Sequence, residues 1–200
     1  MKINKVECFN KTELIKKIKK VTMLKDPDSF VYENTFVSLE SINTNCLIPP
    51  QNYVLNYELE NKLELKYELK KHNVNLFNLD GYIEFYLEGE DIKRTLLPPI
   101  VEESIEDDGI IIPIICDGMH RCYLSRVERK KIQVVYIRGI SKEYPYYAYP
   151  VLNGWDKVER IDKINEGYIK KWHRIKDNKK LYRNFDSVFS NCSKPRGVGK

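Results

Sequence analysis

Residues 110–121 read Ile-Ile-Ile-Pro-Ile-Ile-Cys-Asp-Gly-Met-His-Arg, an apolar run that ends in a short polar turn. The β-branched residues from Ile110 to Cys116 predict a buried strand. Pro113 has no backbone N–H to donate, so it predicts a bulge or an edge position within that strand. Gly118 predicts a tight turn, and residues 122–129 can form a two-turn helix. The sequence therefore predicts a strand, a corner and a helix in direct succession.

The corner, defined here as residues 116–121, contains the residue types that bind phosphate groups. The first backbone N–H groups of a helix have no intrahelical partner, and the helix dipole favours an anion there. Arg121 could clamp phosphate oxygens with paired hydrogen bonds, and His120 could donate to the same phosphate. Asp117 could hold a metal ion or accept a proton from a substrate hydroxyl. In the alternative interpretation, Asp117 is a helix cap, Gly118 a turn residue, and the other two are ordinary exposed side chains.

The flanking sequence predicts further strands and helices around this unit. Residues 36–42, 82–87 and 131–138 are rich in apolar and β-branched residues and predict strands. Residues 53–72 alternate in places like a strand, but their Glu, Lys and Leu content favours a helix. We therefore predict an α+β fold, a small mixed β-sheet with short helices.

Both ends of the chain predict added helices. Residues 12–24 form an amphipathic pattern capped by Thr12, typical of a helix that packs on the core with its lysines in solvent. Asp156 to Lys180 predicts a long basic helix, followed by a basic tail. We divide the single predicted domain into an N-terminal helix over residues 1–30, a core over 31–150, and a basic C-terminal helix and tail over 151–200.

Composition excludes several classes of protein. The 200 residues contain no run near the roughly 18 apolar residues that cross a bilayer, and the first residues lack an apolar signal core. We expect a cytoplasmic protein with no membrane partner. The five cysteines are odd in number and never spaced as Cys-x-x-Cys, which predicts reduced thiols and no zinc site.

The net charge of +5 is unevenly distributed along the chain. Residues 26–117 contain 19 acidic and 6 basic residues, whereas residues 157–200 contain 13 basic and 5 acidic residues. Any contact with a polyanion should therefore be local. A basic stripe could follow a nucleic-acid backbone, or it could neutralise the acidic middle of its own chain; its members are Lys170, Lys171, His173, Arg174, Lys179, Lys180 and Arg183.

These motifs resemble the core of the ParB/sulfiredoxin superfamily. The resemblance rests on Pro99-Ile-Val, Gly109, Ile115-Cys-Asp-Gly-Met-His-Arg and Lys131-Ile-Gln-Val-Val, with Val37-Ser-Leu-Glu-Ser-Ile similar to the first strand of that core. Sulfiredoxins place their catalytic cysteine where this chain has Met119, and a thioether cannot replace that thiolate. Partition proteins carry Gly-Glu-Arg-Arg and a downstream helix-turn-helix domain. The Asp-Gly-x-His-Arg form is nearest to free-serine kinases and to members linked to DNA modification.

The resemblance implies that the corner binds the phosphates of a nucleotide. It predicts that Gly118, Met119, His120 and Arg121 bind ATP, ADP or CTP with Mg²⁺, and that Asp117 and His120 are catalytic. The expected function is a nucleotide-dependent phosphotransferase or nucleotide hydrolase. For a kinase, Glu40 is a further candidate to orient a hydroxyl substrate.

Two alternative functions remain open from the residues themselves. The first is a non-catalytic module that binds DNA or RNA through residues 157–200. The second is a corner that has lost its ligand and serves only as scaffold. The aromatic residues from Tyr144 to Tyr149 and Trp155 could wall a base pocket or could pack a loop across the sheet.

Overall fold

The computed structural model describes residues 1–106, 108–151, 153–164, 168 and 178–192. Strands and helices alternate along this part of the chain, and the strands are grouped into several small sheets. This confirms the predicted α+β class with a small mixed sheet and short helices.

The strands are β1 (Ile3–Asn10), β2 (Thr22–Met23), β3 (Asp26–Phe30), β4 (Phe36–Ile42), β5 (Tyr53–Leu55), β6 (Gly81–Leu87), β7 (Lys93–Leu96), β8 (Ile100–Ile105), β9 (Ile111–Asp117), β10 (Ile132–Arg138), β11 (Glu159–Ile161) and β12 (Arg183–Asn184). The α-helices are α1 (Lys11–Ile18), α2 (Asn56–Lys71) and α3 (Met119–Val127). Short 3₁₀ helices cover Thr44–Cys46, Gly154–Lys157, Asn178–Leu181 and Phe185–Ser187.

A four-stranded sheet in the order β4-β10-β8-β9 forms the centre of the molecule. β10 runs antiparallel to β4 and parallel to β8, and β9 runs antiparallel to β8. Smaller sheets surround it: β1-β6-β7, β12-β2-β3, and the parallel pair β5 and β11. The central four-stranded sheet is therefore mixed, and β9 lies at one of its edges.

Alternation along the central strands buries both faces of this sheet. Ile100 and Val135 face a core that includes α1 and the segment at residues 181–189. Val101 and Val134 face a second core that includes α2 and α3. Because successive side chains of a strand point to opposite faces, the apolar runs of β8 and β10 supply both cores.

The N-terminal region differs from the prediction. α1 begins at Lys11 and ends at Ile18, so both the cap at Thr12 and the extension to Leu24 were wrong. Asn10 is the cap: its side chain accepts from the Glu13 backbone N–H, and the Glu13 side chain accepts from the Asn10 N–H. This reciprocal capping box fixes the start of the helix. Strand β1, which precedes it, was not predicted.

The C-terminal region also differs. The predicted helix from Asp156 is wrong over residues 156–164, which form the end of a 3₁₀ helix and strand β11. The Trp155 indole N–H donates to the carbonyl oxygens of Thr44 and Leu47, at 2.7 and 2.9 Å, and β11 then pairs with β5. These long-range bonds override the local helical pattern. Residues 165–167 and 169–177 of the predicted helix lie outside the described residues.

Several other predicted strands and the helix over residues 53–72 are confirmed. β4, β6, β9 and β10 fall where strands were expected, and α2 resolves the ambiguous residues 53–72 as mainly helix. All five cysteines are free thiols. Among the described residues, no helix is long and apolar enough to span a bilayer.

Candidate functional site

The corner starts where β9 leaves the edge of the central sheet. Pro113 is tolerated because β9 has the sheet neighbour β8 on one side only, with a single isolated bridge from Ile48 to Ile114 on the other. The register then slips: Ile100 pairs with Asp117 while Val101 pairs with Ile115, so Cys116 is an extra, bulged residue. The edge position suggested by Pro113 is present, but Pro113 itself pairs in register with Glu103, and the bulge lies at Cys116 instead. Bulges of this kind re-aim the residues that follow them.

Gly118 makes the turn into α3. Its φ is 85°, in the left-handed region that favours glycine, and it is the N-cap of α3. A Cβ built at this position would lie 2.7 Å from Cβ of Pro99 and 2.9 Å from its Cα. Glycine is therefore required both by backbone conformation and by the close approach of Pro99.

His120, the second residue of α3, joins the corner to strand β5. The backbone N–H of Leu55 donates to Nε2 of His120 at 3.1 Å. Because a backbone amide only donates, Nε2 is unprotonated, and neutral His120 must carry its proton on Nδ1. In this geometry Nδ1 is the nitrogen that can donate a hydrogen bond.

The same bond brings two helix N-termini together. Leu55 is the N-cap residue of α2 and Gly118 is that of α3, and neither provides a side-chain cap bond. The N–H groups of each first turn lack intrahelical partners, and each helix dipole places partial positive charge at this end. The sequence did not predict that the N-terminus of α2 lies at the corner, because this depends on a hydrogen bond between residues 65 positions apart.

An arginine is held beside the N-terminus of α2. Asn56, the first residue of that helix, donates to Oδ1 of Asp162 at 2.7 Å and accepts from Nε of Arg160 at 2.9 Å. The side chain of Arg160 is exposed, and the pairing of β11 with β5 places Arg160 opposite Val54. In the sequence, Arg160 was only one of many basic residues in the C-terminal half. The three-residue pairing of β5 with β11 is what brings it near the corner.

Arg121, predicted to clamp phosphate, lies on the buried side of the corner. Its guanidinium is buried, donates to the Leu97 carbonyl oxygen, and lies 3.2 Å from Oδ2 of Asp117. Burial lowers the pKa of the Arg121 guanidinium, and the neighbouring Asp117 carboxylate opposes that effect. Arg121 thus links Asp117 to Leu97, the residue before Pro98, and stabilises the corner from its buried side.

The remaining corner side chains belong to the core. Met119 is buried against α2 and the central sheet, so its backbone N–H is the part that can face a ligand. Burial raises the pKa of the Cys122 thiol to about 12, which leaves it protonated and unreactive at neutral pH. Cys116 is buried as well. Both thiols therefore pack as small core residues.

Glu40 lies far from the corner. It is on β4, at the opposite edge of the sheet from β9, so three strand spacings of about 4.8 Å separate the two strands, about 14 Å. The Glu40 carboxylate accepts from Arg138 at 2.5 and 3.2 Å and from Ser38 at 2.5 Å. This geometry does not support Glu40 as the residue that orients a substrate at the corner.

The aromatic segment packs rather than lining an open pocket. Tyr146 and Tyr147 are buried in the core that contains α1, with ring centroids 4.5 Å apart. Trp155 is buried against the 3₁₀ helix at residues 44–46 through its indole hydrogen bonds. The loop-packing alternative therefore describes these residues.

Among the described residues, no group of three or more His, Cys, Asp or Glu side chains could hold a metal ion.

A family model described as the ParB CE domain matches residues 13–159. The chain belongs to the ParB CE domain family. The matched part of the ParB CE domain runs from α1 into β11 and includes the whole corner, Leu55 and Asn56. It confirms the resemblance to the ParB/sulfiredoxin superfamily, while the finer likeness to free-serine kinases and DNA-modification members stays a prediction. No curated protein and no solved structure matches the chain.

Proposed function

We propose that the corner binds the phosphate groups of a nucleotide, ATP, ADP or CTP, with Mg²⁺, and supports phosphoryl transfer or nucleotide hydrolysis. One observation carries this proposal: the N-termini of α2 and α3, both without side-chain caps, meet at His120. Two converging helix dipoles and their N–H groups suit a polyanion. Membership of the ParB CE domain family supports it, because the superfamily resemblance points to nucleotide phosphates at the same residues.

Each residue of the proposed site has a role that follows from its position. The backbone N–H groups of Met119 and His120 would donate to one phosphate, and Nδ1–H of His120 would add a side-chain donor. The guanidinium of Arg160, oriented by Asn56, would neutralise a second phosphate. Gly118 would let the phosphate approach the backbone closely.

Asp117 supplies a carboxylate at this site. It is about one-third exposed, and Arg121 fixes its orientation from the buried side. Mg²⁺ is commonly held by one or two carboxylates together with phosphate oxygens and water, so Asp117 fits that donor set. When bound, the ion would neutralise charge on the phosphoryl group. A predicted contact of Arg121 with phosphate would require its guanidinium to leave Leu97 and Asp117.

A thermal-shift experiment tests the proposal, because a ligand that binds only the folded state raises its apparent stability. We expect one of ATP, ADP, CTP or GTP with MgCl₂ to raise the Tm of the wild type. At a concentration of 100 times Kd the stabilisation is about 2.7 kcal/mol. His120→Ala and Arg160→Ala should reduce the shift, whereas Lys163→Ala, which removes the same charge from a neighbouring exposed position, should not. The absence of any shift in the wild type would contradict the proposal.

The second candidate is a nucleic-acid-binding module. Lys179 and Lys180 are exposed and could contact a phosphate backbone, but Arg183 of the same stripe is buried and cannot. The two functions separate by ionic strength, because binding along a nucleic-acid backbone releases counterions. Affinity that falls steeply, by about 10³-fold or more between 50 and 200 mM salt, would favour the nucleic-acid module. A weak dependence would favour the nucleotide pocket.

A further inference from the structure

A fully buried ion pair connects the C-terminal segment, residues 178–192, to the central sheet. Glu102 of β8 accepts from Nε of Arg183 at 2.9 Å and from Nη2 at 2.7 Å. The Tyr32 hydroxyl donates to the same carboxylate at 2.5 Å. The side chains of Arg183 and Glu102 are 1% and 0% exposed, so solvent does not screen the pair. Burial is the largest single influence and lowers the pKa of the Arg183 guanidinium, but Glu102, Tyr32 and Cys116 together raise that pKa above its usual value.

The Arg183 guanidinium also fixes the loop at residues 144–146. Nη1 donates to the carbonyl oxygens of Leu181 and Pro145, and Nη2 donates to that of Tyr144 at 2.7 Å. With the two bonds to Glu102, these contacts use all five N–H donors of the guanidinium. A lysine has three donors without the planar fork, so it cannot reproduce this set. Arg183 therefore holds two consecutive peptide units of the loop at once.

The loop in turn contacts the corner. Tyr146, the next residue along, donates its hydroxyl to the Cys116 carbonyl oxygen at 3.0 Å. Its backbone N–H donates to Oγ of Ser104 on β8 at 3.3 Å, and its ring is buried. Cys116 is the bulged residue immediately before Asp117. Because the peptide group is planar, fixing the Cys116 carbonyl also fixes the direction of the Asp117 N–H.

We propose that Tyr146 and Arg183 are positioning residues that set the conformation of the corner from the C-terminal segment. A bulged residue lacks the regular ladder bonds that fix the rest of its strand. The Tyr146 hydroxyl constrains the Cys116 carbonyl group, and Arg183 constrains the backbone on which Tyr146 lies. The geometry of Asp117 and Gly118 thus depends on Arg183, which lies 65 or more positions further along the chain.

The test uses Tyr146→Phe, which removes the hydroxyl and keeps the buried ring. Tyr144→Phe is the matched control: it makes the same chemical change in the same loop, where the hydroxyl contacts Ser29 instead. Backbone amide resonances and hydrogen exchange are measured by NMR in the full chain without ligand. Tyr146→Phe should move the resonances of residues 117–120 and speed their exchange about 3- to 10-fold, the scale of one lost hydrogen bond. Amides of α2 should keep their wild-type rates.

Two results would overturn the proposal. One is a Tyr146→Phe spectrum in which residues 117–120 are unchanged or shift no more than in Tyr144→Phe. The other is a uniform rise in exchange over the whole chain, which indicates a general loss of stability. Arg183→Lys is a second variant that keeps the charge, and it should move the same corner resonances in the same direction.

A second experiment, which rests on the proposed function, measures nucleotide binding by the same variants. Kd for a nucleotide that binds the wild type should rise about 3- to 10-fold in Tyr146→Phe and stay unchanged in Tyr144→Phe. If no nucleotide binds the wild type, the proposed function fails, and the NMR comparison still decides whether Tyr146 positions the corner.

Discussion

Gly118 combines two constraints that usually occur apart. Its positive φ excludes most side chains by backbone strain, and Pro99 excludes a Cβ by direct contact. Gly109 has nearly the same φ, 84°, but nothing lies within 4 Å of the position a Cβ would take. A substitution at Gly109 therefore measures the cost of backbone strain alone, whereas one at Gly118 adds the cost of the contact with Pro99.

We predict that Gly118→Ala destabilises the fold more than Gly109→Ala does. Strain at a positive φ costs roughly 1–3 kcal/mol, and forcing a methyl group into an occupied space adds about 1–3 kcal/mol. Urea unfolding of both variants measures the difference in free energy. Equal losses would show that Pro99 moves aside without cost.

Part of the corner could be predicted from single residues. The order apolar run, Asp117, Gly118 and His120 predicted a strand, a turn and a helix start, because each of those residue types has a strong local preference. The burial of Arg121 could not be predicted, since its partner at Leu97 is 24 residues away. The role suggested for Arg160 depends likewise on Asn56, more than 100 residues earlier.

At the scale of elements, two Glu–Arg pairs tie strands of the central sheet to their surroundings. Glu102 and Arg183 are fully buried, whereas Glu40 and Arg138 are about one-third exposed. Both pairs make two hydrogen bonds between guanidinium and carboxylate. They differ in solvent access and in their other partners, because Arg138 also lies 3.3 Å from the Glu103 carboxylate.

We predict that Glu102→Gln destabilises the protein by about 3–5 kcal/mol, because it leaves the Arg183 charge buried and unpaired. Glu40→Gln, the matched change in the exposed pair, should cost about 1 kcal/mol or less. Chemical denaturation of both variants at neutral pH measures the two costs. Similar losses would mean that water reaches Glu102 or that the buried network rearranges.

The Glu40 pair predicts a dependence of stability on pH. The hydrogen bond from Arg138, and then that from Ser38, lower the pKa of Glu40 from its usual 4.5 against the opposing effect of burial. Since the folded pKa is below the unfolded one, the stabilisation is present above pH 4.5 and is lost as the pH falls through the folded value. The difference in unfolding free energy between wild type and Glu40→Gln should therefore shrink below pH 4.5. A constant difference from pH 7 to pH 3 would contradict this.

Elements with a clear local pattern were predicted, and those defined by distant partners were not. β4, β6, β9 and β10 are rich in apolar and β-branched residues, and their sequences predict strands. β1 has no clean alternation of buried and exposed residues, and its pairing with β6 defines it as a strand. β5 and β11 are three residues each and gain their regularity from one another.

At the scale of the whole molecule, the C-terminal segment completes the core. Leu181, Phe185 and Phe189 are buried in the core that contains α1, and β12 pairs with β2. Arg183 lies among them and neutralises Glu102. The segment is therefore part of the folded domain even though it lies beyond the matched residues 13–159.

We predict that a chain ending at residue 177 does not unfold cooperatively, whereas a chain ending at residue 192 does. The shorter chain loses three buried apolar side chains, each contributing about 1.5–3 kcal/mol, and leaves Glu102 buried without its partner. The sum is comparable to the total stability of a typical domain, about 5–15 kcal/mol. Near-ultraviolet circular dichroism during heating measures cooperativity. A sharp transition in the shorter chain would show that the first 177 residues fold alone.

The ion pair between Glu102 and Arg183 cannot form until both residues have been added to the nascent chain. The two residues are 81 positions apart, and ribosomes add roughly 5–20 residues per second. About 4–16 s therefore pass between the addition of the carboxylate and the addition of its guanidinium partner. During that interval the nascent sheet carries an uncompensated acidic group at its centre, so the final core closes only after Arg183 has been added.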